Sequence, residues 1–290
     1  MLVFVFPGQG SQKKGMGQDL FDSVPEFAAA ERQIDEILGY SVRELCLQDP
    51  DGRLSDTRYT QPCLFVVNAL HGFKALAERG RPAFLAGHSL GEYNALLAAG
   101  AFDLVTGVRL VQKRAELMGQ AKNGAMAAVI GLDPGKIARV LEENGLDGVD
   151  VANYNSPVQT VISGPAPDIQ RAKPLFEQAG ARLFVPLQVS GAFHSRYMSD
   201  AARAFGEFLG SFTFNPLQVP VIANVTAEPY PSEDPTQTIR SLLTRQITQP
   251  VQWTRSIRYL LGQGASEFHE AGPGNVLTKL IRQIQQDSAS

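Results

Sequence analysis

One pentapeptide constrains this chain more than any other stretch: Gly87-His88-Ser89-Leu90-Gly91. It lies between an apolar run at 82–86 and a segment of helical character reaching 99. Glycines two positions either side of a serine let a strand turn sharply into a helix, where a Cβ would obstruct the bend. The bend lifts the serine hydroxyl out of the surface and aims the helix N-terminus at it. The backbone N–H of Leu90 is then free to stabilise an oxyanion. The pentapeptide is read as a nucleophile turn; an ordinary glycine-rich strand-to-helix turn is the competing reading.

The flanking sequence supplies the setting such a turn needs. Residues 2–6 form an apolar, β-rich run closed by Pro7-Gly8, which predicts a fully buried strand. A glycine-rich loop, 8–12, follows it. Ser23-Val24-Pro25-Glu26 has the form of a capping box and predicts a helix to about residue 38. A second helix is expected from Thr60, with Pro62 in its first turn, to just before Gly80. Residues 82–86 are a second buried strand, followed by helices to 99 and from 103 to about 121. Alternating strands and helices predict an α/β fold with a parallel sheet covered by helices.

The pattern changes near Asn123-Gly124. Strands at 125–130, 149–152, 160–163 and 182–185 are interleaved with helices at 134–144 and 167–179. That β-α-β-β-α-β order is ferredoxin-like. It predicts a small domain, 124–189, inserted in a large domain made of 1–123 and 190–290. Beyond Gly191 come helices near 198–209, 236–247 and 252–261, strands at 219–223 and 266–270, and a closing helix.

Composition narrows the function classes. Across 290 residues, 26 Lys and Arg face 29 Asp and Glu, for a formal charge of −3. That balance carries no electrostatic footprint for nucleic acid or anionic membrane. No run approaches the ~20 apolar residues of a membrane span, and the opening Met1–Phe6 stretch lacks a signal peptide's basic flank. The two cysteines, Cys46 and Cys63, make neither a disulfide framework nor a metal cluster. A cytoplasmic protein without metal or cofactor is expected.

Serine is a weak nucleophile without a base. Of the four histidines, His88 adjoins Ser89 at a strand end, where neighbouring side chains point apart. His71 falls inside a helix and His269 on a late strand, and both read as structural. His194, in Gly191-Ala192-Phe193-His194-Ser195, lies on a glycine-led loop where the chain leaves the insert, and is the expected base. The aspartates between serine and histidine, Asp133, Asp147, Asp150 and Asp168, sit at caps or turns of the insert and read as capping residues. The expectation is a dyad whose histidine is oriented by something other than a carboxylate. Arg114 is placed off the apolar stripe of Leu104, Val108, Val111, Ala115 and Met118. It is either a solvated charge or a guanidinium that grips a substrate carboxylate. The 8–12 loop either cradles phosphate or donates N–H groups to an oxyanion. It is not a Walker A loop, and Lys13 breaks a dinucleotide fingerprint.

Taken together, Phe6-Pro7-Gly8-Gln9-Gly10-Ser11-Gln12, Thr60-Gln61-Pro62, Gly87-His88-Ser89-Leu90-Gly91-Glu92-Tyr93, Gly191-Ala192-Phe193-His194-Ser195, Gln249-Pro250-Val251-Gln252-Trp253 and Gly272-Pro273-Gly274 resemble the malonyl-coenzyme A:acyl carrier protein transacylases over essentially the full length. The resemblance implies an α/β-hydrolase-like large domain with a ferredoxin-like insert. It implies Ser89 as the acylated nucleophile, His194 as its base and Arg114 as the malonyl carboxylate's partner. It further implies an oxyanion hole from the N–H groups of Gln9 and Leu90. Gln246 matches a glutamine whose backbone carbonyl orients the histidine, and Gln61 and Asn155 match polar residues of the cleft. Phe193 belongs to a Gly-Ala-Phe-His pattern similar to malonyl-selective members, where methylmalonyl-selective relatives carry Tyr-Ala-Ser-His. The implied partners are malonyl-coenzyme A and a phosphopantetheinylated acyl carrier protein. Stretches 38–43 and 61–70 look more like discrete acyltransferases that load modular polyketide synthases in trans than like fatty-acid enzymes. A proofreading acyl hydrolase of the same fold is the alternative.

Overall fold

The computed structural model of the chain describes residues 1–189 and 191–288. Strand β1 (Leu2–Phe6) pairs in parallel with β2 (Phe84–Gly87) on one side and β8 (Glu267–Glu270) on the other, and β7 (Val221–Ile222) joins β2 to complete the order β7-β2-β1-β8. Alternation along β1 explains its unbroken apolar run. Phe4 and Phe6 enter one core cluster with α3 (Thr57–Arg79), α4 (Gly91–Ala98) and α5 (Leu104–Gly119). Val3 and Val5 face the other way, against Trp253 and Ile257 of α10 (Trp253–Gly262) and Leu277 and Ile281 of α11 (Val276–Ser288). A strand buried on both faces has no polar positions to show.

The second sheet is antiparallel. Strands β3 (Gly124–Ile130), β4 (Asp150–Ser156), β5 (Gln159–Pro165) and β6 (Leu183–Pro186) take the order β4-β5-β3-β6. One face, with Ala127, Val129 and Ile162, packs on α6 (Pro134–Glu143) and α7 (Ala166–Gln178). The other face, with Met126, Ala128 and Val161, joins the core cluster of the parallel sheet. Period-two side chains thus give this sheet one face for its own helices and one for the cleft. The boundary expected at residue 190 lies outside the described residues.

Several expected boundaries move for identifiable reasons. Ser23 does not cap α1 (Pro25–Leu38); its Oγ donates back to Asp19 O at 2.8 Å, and Val24 precedes the helix without a side-chain cap. The overlooked α2 (Val42–Gln48) has such a cap, since Ser41 Oγ accepts from Glu44 N at 3.2 Å. Helix α3 starts at Thr57, capped by Asp56, so Pro62 lies in its interior. Strand β7 is shorter than expected because Pro220 has no N–H to offer a ladder; it contributes only its carbonyl, to Leu85 N at 2.9 Å. Helices α8 (Ser199–Leu209) and α9 (Pro235–Gln246) complete the set. Among the described residues, no helix is long and apolar enough to cross a membrane.

Candidate active site

Ser89 sits at the bend between β2 and α4 with φ of 51°, in the left-handed region, a conformation that costs a non-glycine residue roughly 1–3 kcal/mol. The flanking glycines permit it by contact rather than flexibility. A Cβ on Gly87 would lie 2.0 Å from the Gly91 carbonyl, and one on Gly91 would lie 2.0 Å from Phe6 O. Asn224, just beyond β7, fixes both sides of the bend: its Oδ1 accepts the Ser89 N–H at 2.7 Å and its Nδ2 donates to Gly87 O at 2.6 Å.

The imidazole of His194 meets this serine, with Nε2 2.8 Å from Ser89 Oγ. Its Nδ1 is 2.7 Å from the backbone carbonyl of Gln246, at the end of α9. A carbonyl only accepts, so Nδ1 carries the proton and Nε2 presents a lone pair to the hydroxyl. His194 is 4% exposed. Burial, reinforced by the nearby Arg114 charge, pushes its pKa down to about 3 and keeps the ring neutral. A neutral, correctly tautomerised imidazole beside a hydroxyl has the arrangement of a general base and nucleophile. Among the described residues the partner of His194 Nδ1 is that carbonyl and not an aspartate: Asp133 caps α6, and Asp150 binds the Arg196 guanidinium.

Arg114 is not a solvated charge. It is 1% exposed, because the spacing 111, 114, 118 places it on the buried stripe of α5 rather than beside it. Its Nη1 donates to Gln61 Oε1 at 2.8 Å, and its Nη2 donates to Gln246 Oε1 at 3.0 Å and to Ser89 Oγ at 3.1 Å. The Tyr93 ring lies 5.5 Å from the guanidinium carbon. Every one of these partners is neutral, and burial draws the pKa of the guanidinium below its ordinary value. Because Oγ accepts from Arg114, the serine's single proton is directed at His194.

The 8–12 loop leans on the bend. A Cβ on Gly8 would lie 2.5 Å from His88 O. The loop is held by Asn68 Nδ2 on Pro7 O at 2.9 Å, Ser11 Oγ on Gly8 O at 2.8 Å and Gln9 Nε2 on Thr57 Oγ1 at 3.1 Å. A cleft of about 240 Å³ brings together Gln9, Gln61, Ser89, Leu90, Arg114, Asn155, Phe193 and His194, walled by Met126, Ala128 and Val161 of the antiparallel sheet. Asn155 reaches it through His88, whose Nε2 lies 2.8 Å from Asn155 Oδ1. His269 packs its ring on Phe4 at 5.4 Å, away from the cleft.

A family model described as the acyl transferase domain matches residues 3–289. The chain belongs to the acyl transferase family. Among its family relatives, the polyketide biosynthesis malonyl CoA-acyl carrier protein transacylase BaeC of Bacillus velezensis is 52% identical, over 99% of this chain and 98% of that protein. The polyketide biosynthesis protein PksE of Bacillus subtilis is also 52% identical over 99% of this chain, but the chain spans only 37% of its length. The crystal structure of a malonyl CoA-acyl carrier protein transacylase from Burkholderia pseudomallei, 49% identical, superposes with a TM-score of 0.93 and covers 99% of this chain and 98% of that one. These acyl transferases share the α/β architecture with a parallel sheet core.

Three residues of this acyl transferase's site had no sequence signal assigned to them. Besides Asn224, the carboxylate of Glu92 is buried in α4, accepting from Tyr230 Oη at 2.6 Å, from Asn224 N at 3.1 Å and from Gln246 Nε2 at 2.5 Å. Burial raises its pKa to about 7. Glu92 directly follows the pentapeptide that carries the candidate nucleophile, and that position was the available clue.

Proposed function

We propose that this chain transfers a malonyl group from coenzyme A to the phosphopantetheine thiol of an acyl carrier protein, through a malonyl ester of Ser89. The observation that carries the reading is Arg114: a buried cation whose direct hydrogen-bond partners are all neutral, with the nearest carboxylate, Glu92, held off behind Gln246, and with one of its nitrogens 3.1 Å from the candidate nucleophile. A thioester whose far end is a carboxylate supplies an anionic partner in direct contact with the guanidinium and brings its carbonyl to Ser89. The names of the full-length relatives support the same donor and acceptor.

In this scheme malonyl-coenzyme A enters the cleft and its carboxylate pairs with Arg114. His194 Nε2 takes the Ser89 proton as Oγ bonds to the thioester carbon, and the oxyanion rests on the N–H groups of Gln9 and Leu90. The C–S bond breaks and the departing sulfur takes the proton from His194. The carrier's thiol then gives its proton to His194, its sulfur attacks the ester, and Oγ leaves with that proton. The Gln246 carbonyl stabilises the transient imidazolium by its dipole. Phe193 narrows the cleft beside the acyl chain, a contact worth roughly 1–3 kcal/mol against an extra methyl. Gln61 and Asn155 hold Arg114 and His88 in place. Residues 124–189 act here as an inserted domain that forms the second wall of the cleft. The chain serves polyketide rather than fatty-acid assembly and acts in the cytoplasm, which two unpaired cysteines suit.

Release of coenzyme A, followed with and without a phosphopantetheinylated carrier, tests the reading. A stoichiometric burst followed by carrier-dependent turnover is expected. Steady release to water, indifferent to the carrier, would instead mark a proofreading hydrolase.

A further inference from the structure

We propose that Glu92 is a positioning residue that sets acyl-donor selectivity by fixing the Gln246 amide with its Oε1 toward Arg114. The inference rests on the malonyl-transfer reading above and extends it to a side chain that touches neither donor nor nucleophile. Gln246 is fully buried and its amide has two inequivalent ends. The Nε2 end donates to Glu92 Oε2 at 2.5 Å and to Ser89 O at 2.9 Å, while the Oε1 end accepts from Arg114 Nη2 at 3.0 Å. An amide turned by half a rotation would set its NH₂ against the guanidinium and its oxygen against two acceptors. The carboxylate, with the Ser89 carbonyl beside it, therefore decides which end Arg114 meets.

Only a carboxylate does this at position 92. One of its oxygens, Oε1, accepts from the Asn224 backbone N–H, a donor that cannot turn round, and from Tyr230 Oη. The other, Oε2, accepts from Gln246. A glutamine in the same place has one oxygen and one NH₂. With the oxygen on Asn224, its NH₂ faces the Gln246 NH₂; that amide must then either turn its oxygen toward position 92, against the Ser89 carbonyl, or shift away, and in both cases Arg114 loses its accepting Oε1. The guanidinium then loses the acceptor that holds Nη2 beside Ser89, and the position that pairs with a donor carboxylate is lost with it.

The test is single-turnover acylation by malonyl- and acetyl-coenzyme A in the wild type, Glu92→Gln, Gln246→Met and the double variant. Gln246→Met removes the amide and keeps the backbone carbonyl that holds His194. Each single variant is expected to lower the malonyl-to-acetyl rate ratio about tenfold, the loss typical of one hydrogen bond to a charged group. The double variant should match Gln246→Met alone, because both act through one amide. Equal losses on both donors, an unchanged ratio, or ratios that multiply in the double variant would overturn the proposal. Should Glu92→Gln not fold, the ratio in Gln246→Met decides alone. A wild type that takes no malonyl group at all would fail the transfer reading first, a result distinct from a malonylated wild type whose variants keep its selectivity.

Discussion

Arg114 Nη2 donates to Ser89 Oγ across 3.1 Å, so the group that would recognise an acyl donor and the group that would attack it share a hydrogen bond. Selection and reaction are thereby tied: a donor that does not engage the guanidinium leaves it bonded to the hydroxyl. Arg114→Ala is expected to lower malonyl transfer about 10²-fold or more, the cost of removing one partner of a buried charge pair. Acetyl transfer, which gains nothing from the charge, should fall less, so relative use of acetyl-coenzyme A rises. Steady-state rates with both donors check this, and equal losses would contradict it.

The approach of the 8–12 loop to the bend depends on Gly8, where a Cβ would stand 2.5 Å from His88 O. Gly8→Ala should push the loop outward and take the Gln9 N–H with it. Loss of one oxyanion donor typically costs ~10²–10³ in rate. We expect that loss in kcat, read beside a thermal melt showing that the variant remains folded.

Strain at Ser89 is measurable by comparing two variants that both lack the hydroxyl. With φ of 51° at position 89, Ser89→Gly should be more stable than Ser89→Ala by about 1 kcal/mol, since only the latter carries a Cβ into the left-handed region. Neither should be acylated. Denaturant titrations giving equal stabilities would remove the strain argument.

Much of this was legible in the sequence, and the exceptions have physical causes. The bend at Ser89 is written in Gly87 and Gly91, whose missing Cβ atoms are what the backbone contacts require. His194 follows from its place on the junction loop. The charge of Arg114 argues against burial, yet 111, 114 and 118 share a face of α5 and the structure buries it. The Gln246 contact to His194 is a backbone carbonyl, which any residue could present, so only family resemblance marked it. Glu92, Asn224 and Tyr230 come together from segments far apart in the chain, and no local pattern records such a meeting.

Burial holds all four histidines below the ordinary imidazole value, His194 at about 3 and His71 at about 4. In the unfolded chain each takes up a proton near pH ~6.5, so below that pH the unfolded state binds more protons than the folded one. Stability supplied by the neutral rings is therefore complete above the unfolded value and is lost as pH falls. Glu92, raised to about 7, and Asp35, which burial also holds above its ordinary value, act in the opposite sense, but they are two carboxyls against four rings. The melting temperature should fall from pH ~7 to pH ~5, each net proton contributing about 1.4 kcal/mol per pH unit at most. A flat or rising profile would contradict the buried, neutral state of these rings. Over the same range the rate of acyl-enzyme formation should show no inflection near the ordinary imidazole value.

The most direct measurement is intact mass of the protein after brief exposure to malonyl-coenzyme A, with peptide mapping of the product. The account predicts one malonyl group per chain, carried by Ser89, absent in Ser89→Ala and discharged when a phosphopantetheinylated carrier protein is added. A wild-type chain that stays unmodified while folded, or a malonyl group found on another residue, would contradict it.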